Sequence, residues 1–190
     1  MSSSTPHIEE FEPVIPYQRQ VLEDVYHNFD YSLGMHEVML SGSVGSAKSL
    51  IMAHIVLLHC IENPGARVLL GRKALPDLKS TIYQKVLEHL EGSSMKEGKH
   101  YRPTDNRAYI KFRNGSEIIS RSWSDKKYKK VRSLELSMAC IEELTENDED
   151  TFHKLRGRLR WTGVPDPKWI GATNPGGIGH AFVKKLWIDR

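Results

Sequence analysis

A mainly parallel α/β sheet flanked by helices, with an inserted β-hairpin, is the fold that this sequence of 190 residues predicts. Three observations carry that expectation. Short apolar runs alternate with segments of helical periodicity along most of the chain, the pattern of a parallel sheet covered on both faces. The apolar run at residues 36–41 passes through a string of small residues straight into an apolar helix pattern. Between the alternating residues 109–112 and 117–119 stands Asn114-Gly115, a tight-turn pair that favours a hairpin.

In chain order, residues 1–13 are expected to form a flexible N-terminal arm, and residues 14–190 a single domain. Val21, Val25 and Tyr26 recur at helical spacing within residues 18–27, so a helix precedes the first strand. A strand over 36–41 and a buried helix from Leu50 follow, and Asn63-Pro64-Gly65 breaks the chain. Residues 67–71 make a buried strand. Leu78, Ile82, Val86 and Leu90 then fall on one stripe of a helix over 77–90. After the hairpin come a short strand at 136–141, a helix from about Asp148 to Leu159, a last strand at 168–173 and a closing helix from about His180 to Ile188.

Chemistry concentrates at three strand ends. The first carries Gly42, Ser43, Val44, Gly45, Ser46, Ala47, Lys48 and Ser49, between a strand and a helix. In that context it reads as a phosphate-binding loop, the mark of a P-loop NTPase; a chance match to a looser string is the plainer alternative. Backbone amides would wrap a triphosphate, Lys48 would reach the β- and γ-phosphates, and the Ser49 hydroxyl would hold Mg2+. The pattern G-x4-G-K-[ST] has glycine where Ala47 stands. A methyl group there disfavours positive φ, so the position is expected to be helical or strained. The second strand end is Glu142-Glu143, after the apolar run Met138-Ala139-Cys140-Ile141. Ligands of such sheets bind at the carboxyl ends of strands. Glu142 is the candidate to hold Mg2+ through water, and Glu143, on the opposite face, to orient and deprotonate an attacking water. A surface acidic loop is the plainer alternative. The third end is Thr173-Asn174 followed by Pro175-Gly176-Gly177, polar groups able to sense a γ-phosphate and a backbone able to pass the change onward.

Composition narrows the partners. No stretch has the length of a membrane span, since the apolar residues 50–61 are interrupted by His54 and His59. The start of the chain lacks a basic-then-apolar targeting pattern. Cys60 and Cys140 sit in apolar patterns, which suits a reducing cytoplasm. The nine histidines show no metal-ligand spacing. A net charge of +3 is uninformative, but its distribution is not. Residues 121–132 hold six bases (Arg121, Lys126, Lys127, Lys129, Lys130, Arg132) against Asp125 alone. Lys126, Lys127, Lys129 and Lys130 are candidates for sequence-independent phosphate contacts to DNA; a solvated loop is the other reading.

Taken together these motifs resemble the ATPase domain of viral large terminases, the motors that package DNA into phage capsids. Pro16-Tyr17-Gln18-Arg19 resembles the family's adenine-contacting glutamine motif, and residues 42–49 its often degenerate Walker A segment. Cys140-Ile141-Glu142-Glu143-Leu144-Thr145-Glu146 resembles Walker B with the catalytic acid, although aspartate is usual where Glu142 stands. Thr173-Asn174-Pro175 resembles the coupling motif. The resemblance spans about Tyr17 to Asp189. It implies an additional-strand (ASCE) P-loop fold with the last strand beside the first and Asn174 near Lys48. It also implies ATP and Mg2+, double-stranded DNA, a portal protein, a small terminase subunit and a homo-oligomeric ring on the procapsid, in the cytoplasm of an infected cell. Arg132, ahead of Walker B, matches the arginine that completes a neighbouring subunit's site; contact in cis or with DNA are its other roles. Arg72 is a lesser site candidate. The family's nuclease domain is expected to be absent from this chain. A helicase-like DNA-dependent ATPase and a nucleotide-gated assembly module with little turnover are the competing readings.

Overall fold

A computed structural model of the chain describes residues 16–26, 36–43, 45, 47–123, 131, 133–164 and 167–189. Among these residues seven strands form one sheet, in the order β1-β7-β6-β2-β5-β4-β3. They are β1 (His36–Ser41), β2 (Arg67–Arg72), β3 (Tyr101–Thr104), β4 (Tyr109–Phe112), β5 (Glu117–Ser122), β6 (Met138–Ile141) and β7 (Lys168–Thr173). The strands from β1 to β5 in that order pair in parallel, and β4 and β3 close one edge antiparallel. The last strand in sequence thus lies beside the first, the additional-strand arrangement.

Each central strand divides its apolar residues between two cores by simple alternation. Val68, Leu70, Met138, Cys140, Ile170 and Ala172 face the helices α2 (Lys48–Glu62) and α4 (Gln84–Gly92). Leu69, Ala139, Ile141 and Trp169 face α5 (Glu149–Arg156) and α6 (His180–Trp187). Helix α2 is apolar nearly all round, as a helix must be when wedged between a sheet and another helix. Its Ile51, Met52, Ile55, Val56 and Leu57 are completely buried, each stabilising the fold by about 1.5–3 kcal/mol relative to an exposed side chain. On the other side Phe152 anchors α5, meeting the Trp169 ring edge-on at 5.1 Å and stacking on Phe182 at 5.8 Å. The first helix, α1 (Pro16–Tyr26), buries Gln18, Val21 and Val25.

The hairpin forms as its turn chemistry requires. Asn114 Oδ1 accepts from the Ser116 amide at 3.0 Å, and its Nδ2 donates to the Cys60 carbonyl at 2.8 Å, stapling the turn to the end of α2. Three elements differ from expectation. Strand β3 has only four residues and contains Pro103, tolerable because β3 is an edge strand. The strand expected from Leu136 starts at Met138, since the Leu136 amide instead donates to the Arg158 carbonyl at 2.8 Å. The helix expected over 77–90 is three pieces: α3 (Leu75–Leu78), a π turn (Lys79–Tyr83) and α4. Helix α5 is capped by Asp148, whose carboxylate accepts from the Thr151 amide at 2.8 Å, and it ends at Arg156. The expected arm at 1–13 lies outside the described residues.

Buried His54 of α2 lies 6.0 Å, ring centre to ring centre, from His89 of α4. Burial, and then the neighbouring imidazole, push its pKa down to about 4. Between that value and the ordinary one near 6.5, the unfolded chain binds a proton that the folded chain refuses. Stability therefore falls as pH drops through this window and levels off below it. Each unit of separation corresponds to about 1.4 kcal/mol, so the expected loss between pH 7 and pH 4.5 is on the order of 2 kcal/mol. Urea denaturation at pH 7 and at pH 4.5 measures it; the loss should shrink in a His54→Leu variant.

Candidate functional site

The loop after β1 and the first turn of α2 set the geometry of the phosphate-loop segment. Ala47 adopts φ 54 and ψ 27, the left-handed region, so the missing glycine is met by strain rather than by a helical backbone. Such a conformation costs an L-residue about 1–2 kcal/mol. Lys48 begins the helix and is buried. Its ammonium donates to the Gly42 carbonyl at 2.9 Å, the Ser43 carbonyl at 3.0 Å and Asn174 Oδ1 at 2.9 Å. Desolvation lowers its pKa, against the opposing charges of Glu143 and Glu142.

Ser49, one residue on, donates its hydroxyl to one oxygen of Glu142. The other oxygen of Glu142 receives the Thr81 hydroxyl. Thr81 sits in the π turn and also lies 2.7 Å from the Asp77 carbonyl; its single proton favours the carboxylate, the charged and stronger acceptor. Glu142 itself is buried at the end of β6, its amide bonded to the Gly71 carbonyl at 2.9 Å. The Arg72 guanidinium stands 3.8 Å from Glu142 and 3.7 Å from Glu146. Its buried Nε has no hydrogen-bond partner among the described residues.

Glu143 turns the opposite way. Its backbone is also left-handed, at φ 46 and ψ 54. Its carboxylate accepts from Asn174 Nδ2 at 2.7 Å and from the Asn174 amide at 3.3 Å. Asn174 is therefore a bridge, carbonyl oxygen to the cation of the loop and amide nitrogen to the acid of β6. Thr173, its neighbour on the strand, points to the other face and meets the Thr145 hydroxyl at 2.6 Å. The chain after β7 packs closely on the acidic turn. The Gly179 amide donates to the Thr145 carbonyl at 2.8 Å, and a side chain at Gly177 would lie 2.5 Å from that same oxygen. Trp123, after β5, donates to the Asn147 side chain.

The structure thus brings together Gly42, Ser43, Lys48, Ser49, Glu142, Glu143 and Asn174. Thr173 belongs to the adjoining layer. Gln18 is fully buried in α1, and neither atom of its carboxamide has a hydrogen-bond partner among the described residues. Val44, Ser46, Arg132, Lys126, Lys127, Lys129 and Lys130 lie outside the described residues. Thr81 was not singled out by sequence; a hydroxyl beside the apolar stripe of that helix was its only signal. For Mg2+ the donor set fits. Ser49 and Glu142 are hard oxygen donors meeting at one point, the two-residue holding that this ion takes when phosphates supply further ligands. Among the described residues no group of three or more His, Cys, Asp or Glu could hold an ion alone. None of the described helices is long and apolar enough to cross a membrane.

Comparison with solved structures places this architecture among phage packaging proteins. The large terminase of a thermophilic bacteriophage superposes with a TM-score of 0.72 at 18% identity, over 92% of this chain and 42% of its own. That protein has also been solved with ADP and with ATP-γ-S. The large terminase of bacteriophage HK97 gives a TM-score of 0.71 at 15% identity, over 97% of this chain and 38% of its own. The N-terminal domain of the DNA packaging ATPase of bacteriophage phi29 gives 0.53 at 12% identity, over 84% of both chains. The chain thus spans about two-fifths of the large terminases it matches first. At such identities the likeness establishes the fold, a P-loop NTPase sheet. No curated protein matches in sequence. The model of one family, phage terminase large subunit, matches residues 35–190, and by that match the chain belongs to the phage terminase large subunit family.

Proposed function

We propose that this chain is the ATPase motor domain of a DNA-packaging terminase large subunit, hydrolysing ATP to translocate double-stranded DNA into a procapsid. The observation that carries the reading is the Asn174 bridge between Lys48 and Glu143, which joins a phosphate-loop cation, a candidate base and a coupling-motif side chain. The nucleotide-bound states of the thermophilic phage's enzyme support ATP as the ligand.

Residues 42–49 cradle the phosphates, with loop amides at the α- and β-phosphates and Lys48 at the β- and γ-phosphates. Lys48 exchanges the Gly42 and Ser43 carbonyls for phosphate oxygens, which are charged and stronger acceptors. The carboxamide of Gln18, buried without a partner among the described residues, can both donate to and accept from an adenine edge. Ser49 and Glu142 hold Mg2+, which when bound neutralises charge developing on the phosphates. Glu143 takes a proton from a water aligned with the γ-phosphorus as the oxygen attacks and the bond to the β-phosphate oxygen breaks. With a γ-phosphate present, Asn174 is drawn from Lys48; on its departure the bridge re-forms. Arg132 completes a neighbouring subunit's site within a ring, and Lys126, Lys127, Lys129 and Lys130 grip the DNA backbone without reading sequence. The portal protein and small subunit are partners, and the host cytoplasm and procapsid portal the setting. The strained Ala47 favours a second reading, a nucleotide-gated assembly module with little turnover.

Steady-state ATPase measurements over a protein concentration series separate these readings. Turnover that rises with concentration and falls about 10²–10⁴-fold in Glu143→Gln, with ATP-γ-S binding kept, supports the motor. Absence of turnover in the assembled ring supports the module. Arg132→Ala is expected to reduce turnover about 10³–10⁵-fold, with activity regained on mixing with Glu143→Gln subunits that supply the arginine. No recovery on mixing rules out a role in trans. Thr81→Val, which keeps the shape and removes the hydroxyl, should raise the Mg2+ concentration needed for half-maximal ATP-γ-S binding about tenfold, the range seen for lost outer-shell partners. Thr81→Ser should restore it; equal Mg2+ dependence in all three proteins shows that the hydroxyl does not position Glu142.

A further inference from the structure

At the opposite end of the sheet from the nucleotide loops, we infer a docking site for an acidic segment of a partner protein that carries an apolar anchor. One cross-strand row runs from β2 to the sheet edge: Arg67, Glu117, Lys111 and Arg102 lie side by side in register. Its single acid is already committed. Glu117 accepts from Arg67 at 2.6 Å and from the Tyr109 hydroxyl at 2.7 Å, and pairs only loosely with Lys111 at 3.9 Å, whose ammonium donates to the Gly115 carbonyl at 2.8 Å. Lys111 and Arg102 are direct cross-strand neighbours, a like-charge pairing that Glu117 offsets only in part and an outside anion would relieve further. Exposed Lys99 and Arg113 extend the patch. Among the described residues Lys99, Arg102 and Arg113 have no ion-pair partner, and no acid lines the cleft of about 380 Å³ into which they converge.

Charge alone would suit any polyanion; a second cleft decides between them. It also measures about 380 Å³ and is lined by Ile61, Pro64, Met95 and Phe112 together with His100 and Arg113, so it adjoins the basic cleft along shared walls. A DNA backbone has phosphates for the cations and nothing for a slot of this kind. A peptide with carboxylates flanking one large apolar side chain fills both. Pairs at such a rim set orientation and on-rate, while the buried anchor supplies affinity. The β strands separate this surface from Lys48 and Glu143 by about 20 Å, the length of a six-residue strand, so occupation and turnover are separate readouts.

The test uses the whole chain and fluorescein-labelled peptides of about twelve residues, rich in Asp and Glu, with Leu, Met, Phe or Trp at the centre, read by anisotropy. At least one peptide should bind and lose about tenfold or more in affinity when its central residue becomes Ser, or when Arg102 and Arg113 become Glu. The milder Arg102→Gln/Arg113→Gln pair, with an unchanged melting temperature, guards against misfolding, and ATP turnover should be unaltered in both. No binding by any peptide overturns the inference, as does binding indifferent to the charge reversal or to the central residue. Binding of a duplex of about 20 base pairs that is lost in these variants, with the peptides inert, reassigns the surface to DNA.

Discussion

A single carboxamide spans the distance between the phosphate loop and the acidic strand end, and the sheet order makes that contact geometrically inevitable. Strand β7 lies between β1 and β6, so whatever leaves its carboxyl end stands between the loop after β1 and the acids after β6. Asn174 is the residue in that place. Its two ends carry opposite polarity, and the assignment of oxygen to Lys48 and nitrogen to Glu143 satisfies both charged partners at once. The buried pairings of β7, with all six residues enclosed, keep the bridge in position.

Two residues flanking this arrangement sit in left-handed backbone without being glycine: Ala47, just before Lys48, and Glu143 itself. Strain of this sort persists only where the surroundings over-determine it, and it gathers where a ligand must be met. Here the surroundings are identifiable. Ala47 is tied to α2, whose apolar face is buried on every side, and its carbonyl accepts from the Ile51 amide at 3.3 Å. Glu143 is held by the double contact with Asn174 and by the short helical turn that follows it. The left-handed turn at Glu143 also explains how adjacent acids serve different partners, Glu142 toward Ser49 and Thr81 and Glu143 toward Asn174.

Much of this was legible from residue order. β1 and β7 have the limits their apolar runs suggest, the Asn114-Gly115 hairpin forms, and the placing of the last strand beside the first follows from the family resemblance. The parts that were not legible have physical causes. Strand β3 is four residues with a proline, below the length at which alternation can be recognised, and it exists because β4 offers an open edge. The π turn at Lys79–Tyr83 leaves the apolar stripe nearly intact, so periodicity hides it, yet it aims the Thr81 hydroxyl at Glu142. The division of labour between Thr173 and Asn174 follows from strand alternation, which sends neighbouring side chains to opposite faces.

That division supplies the second half of any coupling. On the proposed reading Asn174 reports the γ-phosphate, whereas Thr173 is bonded to Thr145, one turn past the acids. The Thr145 carbonyl in turn receives the Gly179 amide, at the entrance to α6, and a side chain at Gly179 would lie 2.2 Å from the Asn147 carbonyl. With no room for a side chain at Gly179, the two backbones pack directly against each other. On the proposed reading, a shift of Asn174 on phosphate departure would be felt at β7's end, the acidic turn and the start of α6, which these bonds join. Asn147 accepts from Trp123 on its far side, which ties the acidic turn to the residue that follows β5.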